Sequence, residues 1–167
     1  AACKNEPATH VSTELVNQRD LILTRSIDAS PFVPKGDTMN QRCEEIFEIQ
    51  VMGLAKRLIH TNCKTAVVGI SGGLDSTLAL LVCVKTFDKL GLSRKGIIGI
   101  TMPGFGTTDR TYNNALHLMS SLGITTKEIS IKEACIQHFN DINHDMTKHD
   151  VTYENGQARE RTQILMD

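Results

Sequence analysis

Apolar residues along this chain fall into two kinds of run. Short continuous ones occupy 66–70 (Ala-Val-Val-Gly-Ile) and 97–101 (Ile-Ile-Gly-Ile-Thr). Spaced ones recur at helical intervals: Phe47, Val51, Leu54, Ala55 and Leu58; the stretch from Thr77 to Leu90; Ala115, Leu118, Met119 and Leu122; and Cys135, Phe139 and Ile142. Period separates strand from helix. The pattern predicts a helix over about 40–60 capped by Asp37 or Thr38 and ended by Asn62. It continues with a strand at 65–70, a helix over 76–90 closed by Gly91, and a strand at 96–101. Next come a helix from Thr108 or Asp109 to Gly123, a strand at 125–131 and a short helix around Cys135. Alternation at 128–131 gives the third strand one wetter face. Strand, helix and strand within so short a stretch make a βαβ unit with a parallel pair. The fold class is therefore α/β, a parallel sheet between helical layers.

Polar stretches set the boundaries. Residues 1–30 are weakly patterned, with apolar clusters only at Leu15-Val16 and 21–23, and 31–36 (Pro-Phe-Val-Pro-Lys-Gly) is a breaker. This divides the chain into a tail or linker over 1–35 and a domain over 36–167. Residues 143–156 lack periodicity and read as a functional or mobile loop, and the last helix opens in 155–161.

The chemistry centres on Ser71-Gly72-Gly73-Leu74-Asp75-Ser76, between the first strand and its helix. A glycine turn delivering a helix start aims backbone N–H groups and the positive end of the macrodipole at an anion. Gly72 and Gly73 let backbone close on a phosphate, and Ser71 and Ser76 add hydroxyls. A carboxylate beside a phosphate needs a cation between them, so Asp75 points to Mg²⁺. Neither the Walker pattern nor the dinucleotide fingerprint is present. A second loop, 102–107 (Met-Pro-Gly-Phe-Gly-Thr), follows the second strand. Ligands of open parallel sheets bind beyond the carboxyl ends of strands, so the two loops are expected to border one crevice.

Composition narrows the classes. A net charge of −1 leaves no electrostatic footprint for nucleic acid. No run reaches the ~18 consecutive apolar residues of a membrane span, and the first ten residues lack a signal-peptide pattern. Five cysteines (3, 43, 63, 83 and 135) without a C-x-x-C read as reduced thiols, which places the protein in the cytoplasm. His144 and His149 invite a metal reading. Their spacing does not make a helical ligand pair, and no thiolate is near, so no metal site is assigned there. Arg159 and Arg161, two apart, cannot share one helical face; on charge alone this stretch reads as an exposed, salt-laced helix.

Three segments carry a resemblance: GISGGLDSTLALLV (69–82), ITMPGFGTTDRTYNNA (100–115) and HDVTYENGQARERTQILMD (149–167). S-G-G-x-D-S after a strand resembles the pyrophosphate loop of the ATP-pyrophosphatase superfamily, and the wider text resembles glutamine-dependent NAD synthetase over roughly 31–167. The resemblance implies a Rossmann-like adenine nucleotide alpha hydrolase fold and amidation of deamido-NAD through an adenylate. AMP and pyrophosphate are released, and the nitrogen comes from glutamine-derived ammonia. It implies ATP contacts at Gly69, Ile70, Ser71, Gly72, Gly73, Leu74, Asp75, Ser76 and Met102, with Asp75 and Ser71 in the reaction and Asp75 holding Mg²⁺. Deamido-NAD contacts fall at Asn155 and Arg159, and Arg161 matches less closely in role. Gly156 departs from the Val or Ser common in the family. A glutaminase domain on the same parent chain is implied, residues 1–35 being the end of that domain or its connector. A strand ending in a nucleotide-contacting Thr, a later acidic metal ligand and a late Lys have no counterpart here. The piece is thus expected to be C-terminally truncated, to self-associate and to lack turnover by itself. The alternatives are another amidating ligase of the superfamily, of the GMP or asparagine synthetase type, or a nucleotide-binding module without activity.

Overall fold

The computed structural model describes residues 11–13 and 24–167; the apolar clusters at 15–16 and 21–23, and Cys3, lie outside them. A short 3-10 turn, Gly36–Thr38, leads into α1 (Met39–Thr61). The chain continues through β1 (Ala66–Gly69), α2 (Leu74–Leu90), β2 (Ile97–Thr101), α3 (Asp109–Leu122), β3 (Thr125–Glu128), α4 (Lys132–Asp141) and α5 (Val151–Met166). The strands lie in the order β1-β2-β3, both pairs parallel, with Val68 opposite Gly99 and Gly99 opposite Thr126. Each parallel pair requires a crossover, and α2 and α3 supply them.

Alternation along β2 divides the core in two. Ile97 faces a cluster with Leu58 of α1, Leu80 and Phe87 of α2, and Met119 of α3. Ile98 and Ile100 face the other way, toward Ile131, Cys135 and Phe139 beside α4 and Tyr153 of α5. The molecule is thus the expected three-layer unit, helices α1–α3 on one face of the sheet and α4 and α5 on the other. The predicted stripe of α1 is buried at Val51, Ala55 and Leu58. The buried Thr86 hydroxyl donates to Val82 O at 2.7 Å and approaches Val51 O at 3.3 Å, close to α1. Burial raises the thiol pKa of both Cys83 and Cys135; these two, with Cys43 and Cys63, are free. Asn62, Gly91 and Gly123 end α1, α2 and α3 in left-handed conformation, as their positions predict.

Thr38, one of the two expected residues, is the N-cap of α1, but its side chain makes no capping hydrogen bond. The structure corrects three expectations. The third strand stops at Glu128: Ile129 N–H still donates to Thr101 O and Ile131 N–H to Pro103 O, but Ile131 already has the backbone of α4's first turn. Ile142 does not continue the buried stripe of α4; it is the residue past its end and is exposed. Most consequentially, 151–156 is helix and not loop. Asp150 accepts hydrogen bonds from Thr152 N–H (2.9 Å) and Tyr153 N–H (3.1 Å), satisfying two orphan donors and starting α5. Only 143–150 remains irregular.

Candidate functional site

The turn from β1 into α2 is held by its own side chains. Ser71 Oγ lies 3.2 Å from Ser76 Oγ and accepts from Gly73 N–H at 3.2 Å, while the hydroxyls of Ser76 and Thr77 donate to Gly73 O at 3.1 and 2.8 Å. Gly72 has φ +82°, and a Cβ there would lie 2.1 Å from the backbone oxygen of Thr111 in α3. Only glycine allows both the left-handed backbone and that approach. The start of α2 has no side-chain cap. Thr77 N–H makes the first backbone bond of the turn, to Gly73 O, which leaves Leu74, Asp75 and Ser76 with donors the helix does not use. Asp75 sits in that first turn, exposed, its carboxylate without a hydrogen bond or ion pair to any described residue.

The second loop, 102–107, is pinned from three sides. Gly104 N–H donates to Thr107 Oγ1 (3.0 Å), Ile131 N–H to Pro103 O (3.2 Å), and Phe105 N–H to Oε1 of Gln157 in α5 (3.2 Å). Between this loop, the end of β1 and α5 lies a cavity of about 650 Å³. Gly69, Ile70, Ser71 and Met102 line it, so the carboxyl ends of two adjacent parallel strands meet in one crevice as expected. Gly72, Gly73, Leu74, Asp75 and Ser76 continue from Ser71 into α2 and are not part of its lining.

The opposite wall differs from the sequence reading. Asn155 and Arg159 are exposed on α5 and lie outside the cavity. The helix lines it instead with Tyr153, Gln157, Arg161 and Leu165, one residue per turn, together with Glu154. Arg161 is half-buried, reaches toward Met102 O at 3.5 Å and forms no ion pair with a described residue, so its charge is available to an anion. Tyr153 is stacked by His149 with ring centroids 4.4 Å apart, and Phe105 and Phe139 lie at 5.8 and 5.6 Å. The signal for this face was the spacing of 153, 157, 161 and 165. It is masked because tyrosine, glutamine, arginine and leucine form no hydrophobic stripe. The departure at Gly156 has a packing cause: a Cβ there would lie 2.6 Å from the Phe139 ring.

Around the irregular 143–150 stretch, His144 Nε2–H donates to Asp150 Oδ1 at 3.0 Å, leaving Nδ1 buried without a partner among the described residues. The Asp150 carboxyl is held below the usual carboxylate range, chiefly by Tyr153 N–H, with the His144 hydrogen bond adding to it. Among the described residues no group of three His, Cys, Asp or Glu side chains converges on a point. That does not suit a preformed protein cage. Asp75, at the turn into α2, is an exposed carboxylate that could serve as a single protein ligand to a cation carried by other groups.

A family model, NAD synthase, matches residues 46–167. The chain belongs to the NAD synthase family. Among curated NAD synthases it is 41% identical over 148 residues to the glutamine-dependent NAD(+) synthetase of Mycobacterium leprae, covering 86% of this chain and 22% of that protein. Over 65 residues, 39% of this chain and 22% of the other, it is 37% identical to the NH(3)-dependent NAD(+) synthetase of Pyrobaculum aerophilum. The chain thus spans about 22% of the length of the curated relatives it matches. Its fold is shared with the glutamine-dependent NAD+ synthetase of Acinetobacter baumannii (TM-score 0.66, 24% identity, 74% of this chain and 23% of that one). It is also similar to the NMN synthetase of Francisella tularensis (TM-score 0.62, 27% identity, 74% and 48%). Among the described residues of this NAD synthase chain, no helix is long and apolar enough to cross a membrane.

Proposed function

We propose that this chain forms the nucleotide side of a synthetase that amidates deamido-NAD to NAD at the expense of ATP, with glutamine-derived ammonia as the nitrogen source. The observation that carries the reading is the uncapped start of α2, with its unused donors and free Asp75 carboxylate, at the turn whose first residues line the cavity. Backbone N–H groups of 74–76 and the hydroxyls of Ser71 and Ser76 bind the β- and γ-phosphates. Asp75 would hold a Mg²⁺ ion, whose charge would stabilise the departing pyrophosphate. Gly69, Ile70 and Met102 border the rest of the nucleotide. The nicotinate carboxylate forms a bond to the α-phosphorus as the bond to pyrophosphate breaks, giving a mixed anhydride with AMP. Ammonia then forms the amide as AMP leaves. No side chain serves as nucleophile; the protein positions and stabilises charge.

Asn155 and Arg159 are the contacts to deamido-NAD in this reading, presented on the exposed side of α5 to a part of the substrate outside the cavity. Exposed Ile49, Met52 and Ile59 on α1 and Leu78 on α2 support the association of this chain with further copies or segments. In the complete protein, ATP–pyrophosphate exchange should depend on deamido-NAD and on Mg²⁺, and ammonia should complete NAD formation. Exchange with nicotinate mononucleotide but not with deamido-NAD overturns the choice of dinucleotide, and no exchange with either overturns the reading. Arg159→Ala should raise the KM for deamido-NAD about tenfold and leave that for ATP within about twofold. Equal losses for both would make Arg159 a structural residue.

A further inference from the structure

Gln157 is 7% exposed, and each end of its side-chain amide is engaged on backbone. Oε1 accepts from Phe105 N–H at 3.2 Å and Nε2 donates to Tyr153 O at 3.3 Å, one turn back along α5. The first bond joins residues far apart in sequence and ties the loop after β2 to the helix forming the opposite wall of the cavity. Gly104 is shaped to the same contact: a Cβ on it would come within 2.6 Å of Gln157 Oε1 and 2.8 Å of Arg161 Nη2. The loop's other contacts are Gly104 N–H to Thr107 Oγ1, Ile131 N–H to Pro103 O and, from α5, the longer approach of Arg161 Nε to Met102 O at 3.5 Å; Gln157 is the α5 side chain that accepts from Phe105.

We propose that Gln157 is a positioning residue that sets the affinity for nucleotide by fixing loop 102–107 over the cavity, with Gly104 giving the Gln157 amide room to reach it. This rests on the reading that the cavity takes ATP. Each end of the amide holds backbone, Oε1 that of Phe105 and Nε2 that of Tyr153, so Gln157 acts through the loop it anchors. The role needs a donor and an acceptor on one rigid planar group, which methionine of similar length and volume lacks.

The test uses the complete protein. Amide hydrogen exchange is followed at Phe105, and ATP and deamido-NAD are titrated separately by calorimetry. Gln157→Met should speed exchange at Phe105 and weaken ATP binding, each about tenfold, as loss of a buried bond does. Deamido-NAD affinity should stay within about twofold, and exchange elsewhere in the sheet should not change. Gly104→Ala crowds Gln157 Oε1 and Arg161 Nη2 together, and its effect on exchange at Phe105 should run in the same direction. Its effect should be largely absorbed in the double variant, the mark of residues acting on one contact. Unchanged exchange at Phe105 overturns the anchoring, and faster exchange with unchanged ATP affinity overturns its bearing on the nucleotide. Equal losses for both ligands, or faster exchange throughout, make Gln157 a structural residue. Wild-type protein that binds no ATP sinks the cavity reading itself, a result distinct from any of these.

Discussion

The starts of α2 and α5 each carry an aspartate and use it in opposite ways. At α5, Asp150 precedes the helix and spends its carboxylate on Thr152 and Tyr153 N–H, with His144 on the same oxygen. At α2 the N-cap is Gly73, which has no side chain to offer. The aspartate there, Asp75, lies inside the first turn and bonds to nothing among the described residues. A helix start costs free energy if its donors stay unpaired away from water, and α5 meets that requirement from within the chain. At α2 it is left to solvent or to a ligand, beside glycine backbone that a Cβ would block. In the proposed reading, a structural terminus and a binding terminus separate by what the chain declines to satisfy, not by which residue types are present.

The sharpest test of that contrast is the charge of Asp75. Asp75→Asn in the complete protein should lower adenylate formation by about 10²–10³-fold if the carboxylate carries Mg²⁺ against pyrophosphate. Stability should stay within about 0.5 kcal/mol, because an exposed side chain without partners is being changed. Pyrophosphate exchange against melting temperature reads both, and turnover within a few-fold of wild type would remove Asp75 from the metal site.

A second substitution converts one kind of terminus into the other. Gly73 has φ −86° and ψ 173°, extended backbone open to any residue, and a Cβ there would meet only Ser71 Oγ, at 3.3 Å. Gly73→Asp should therefore cap α2 as Asp150 caps α5, raising stability by about a few tenths of a kcal/mol relative to glycine. The new carboxylate would occupy the donors meant for phosphate and repel it, weakening ATP binding by roughly a hundredfold. Stability gained as binding is lost is the signature of a terminus kept open for function. A variant that binds ATP as well as wild type would show that those donors do not hold the phosphates.

The same contrast explains what was legible in the sequence. The turn after β1 is legible because Gly72, Gly73 and the short hydroxyl side chains that hold it stand in immediate succession between an apolar run and a helix. β1 and β2 are legible as apolar runs, and α1–α3 by their stripes. The start of α5 was not: its face toward the cavity joins Tyr153, Gln157, Arg161 and Leu165, whose polarity follows the cavity and not the core. Asp150 was the usable signal, an N-cap residue placed just where the chain turns helical. Asn155 and Arg159 rest on the resemblance, whereas the contacts of Gln157 and Arg161 with the loop after β2 leave no mark in local spacing, because the partners lie more than fifty residues earlier. The third strand was drawn too long because alternation at 128–131 continues past the point where Ile131 bends into α4.

The smallest expected effect lies at the satisfied terminus, and its sign is fixed by the pKa of Asp150. Asp150→Ala leaves Thr152 and Tyr153 N–H without their acceptor and should lower the melting temperature by roughly 2–4 °C near neutral pH. Because Tyr153 N–H, aided by His144, holds the carboxyl below its unfolded value of about 4, the folded protein favours the ionised form. The stabilisation is therefore fully present above about pH 5 and is lost as pH falls through the lower folded pKa, where the carboxyl protonates in both states. The difference in melting temperature between wild type and Asp150→Ala should be flat from about pH 5 upward and shrink below about pH 4. ATP affinity should be unchanged within about twofold, since this aspartate serves the helix and not the phosphates. A gap that persists undiminished to pH 2 would mean that the carboxylate's charge is not what caps α5. A large loss of ATP affinity would mean that the two termini are not divided between structure and binding as proposed.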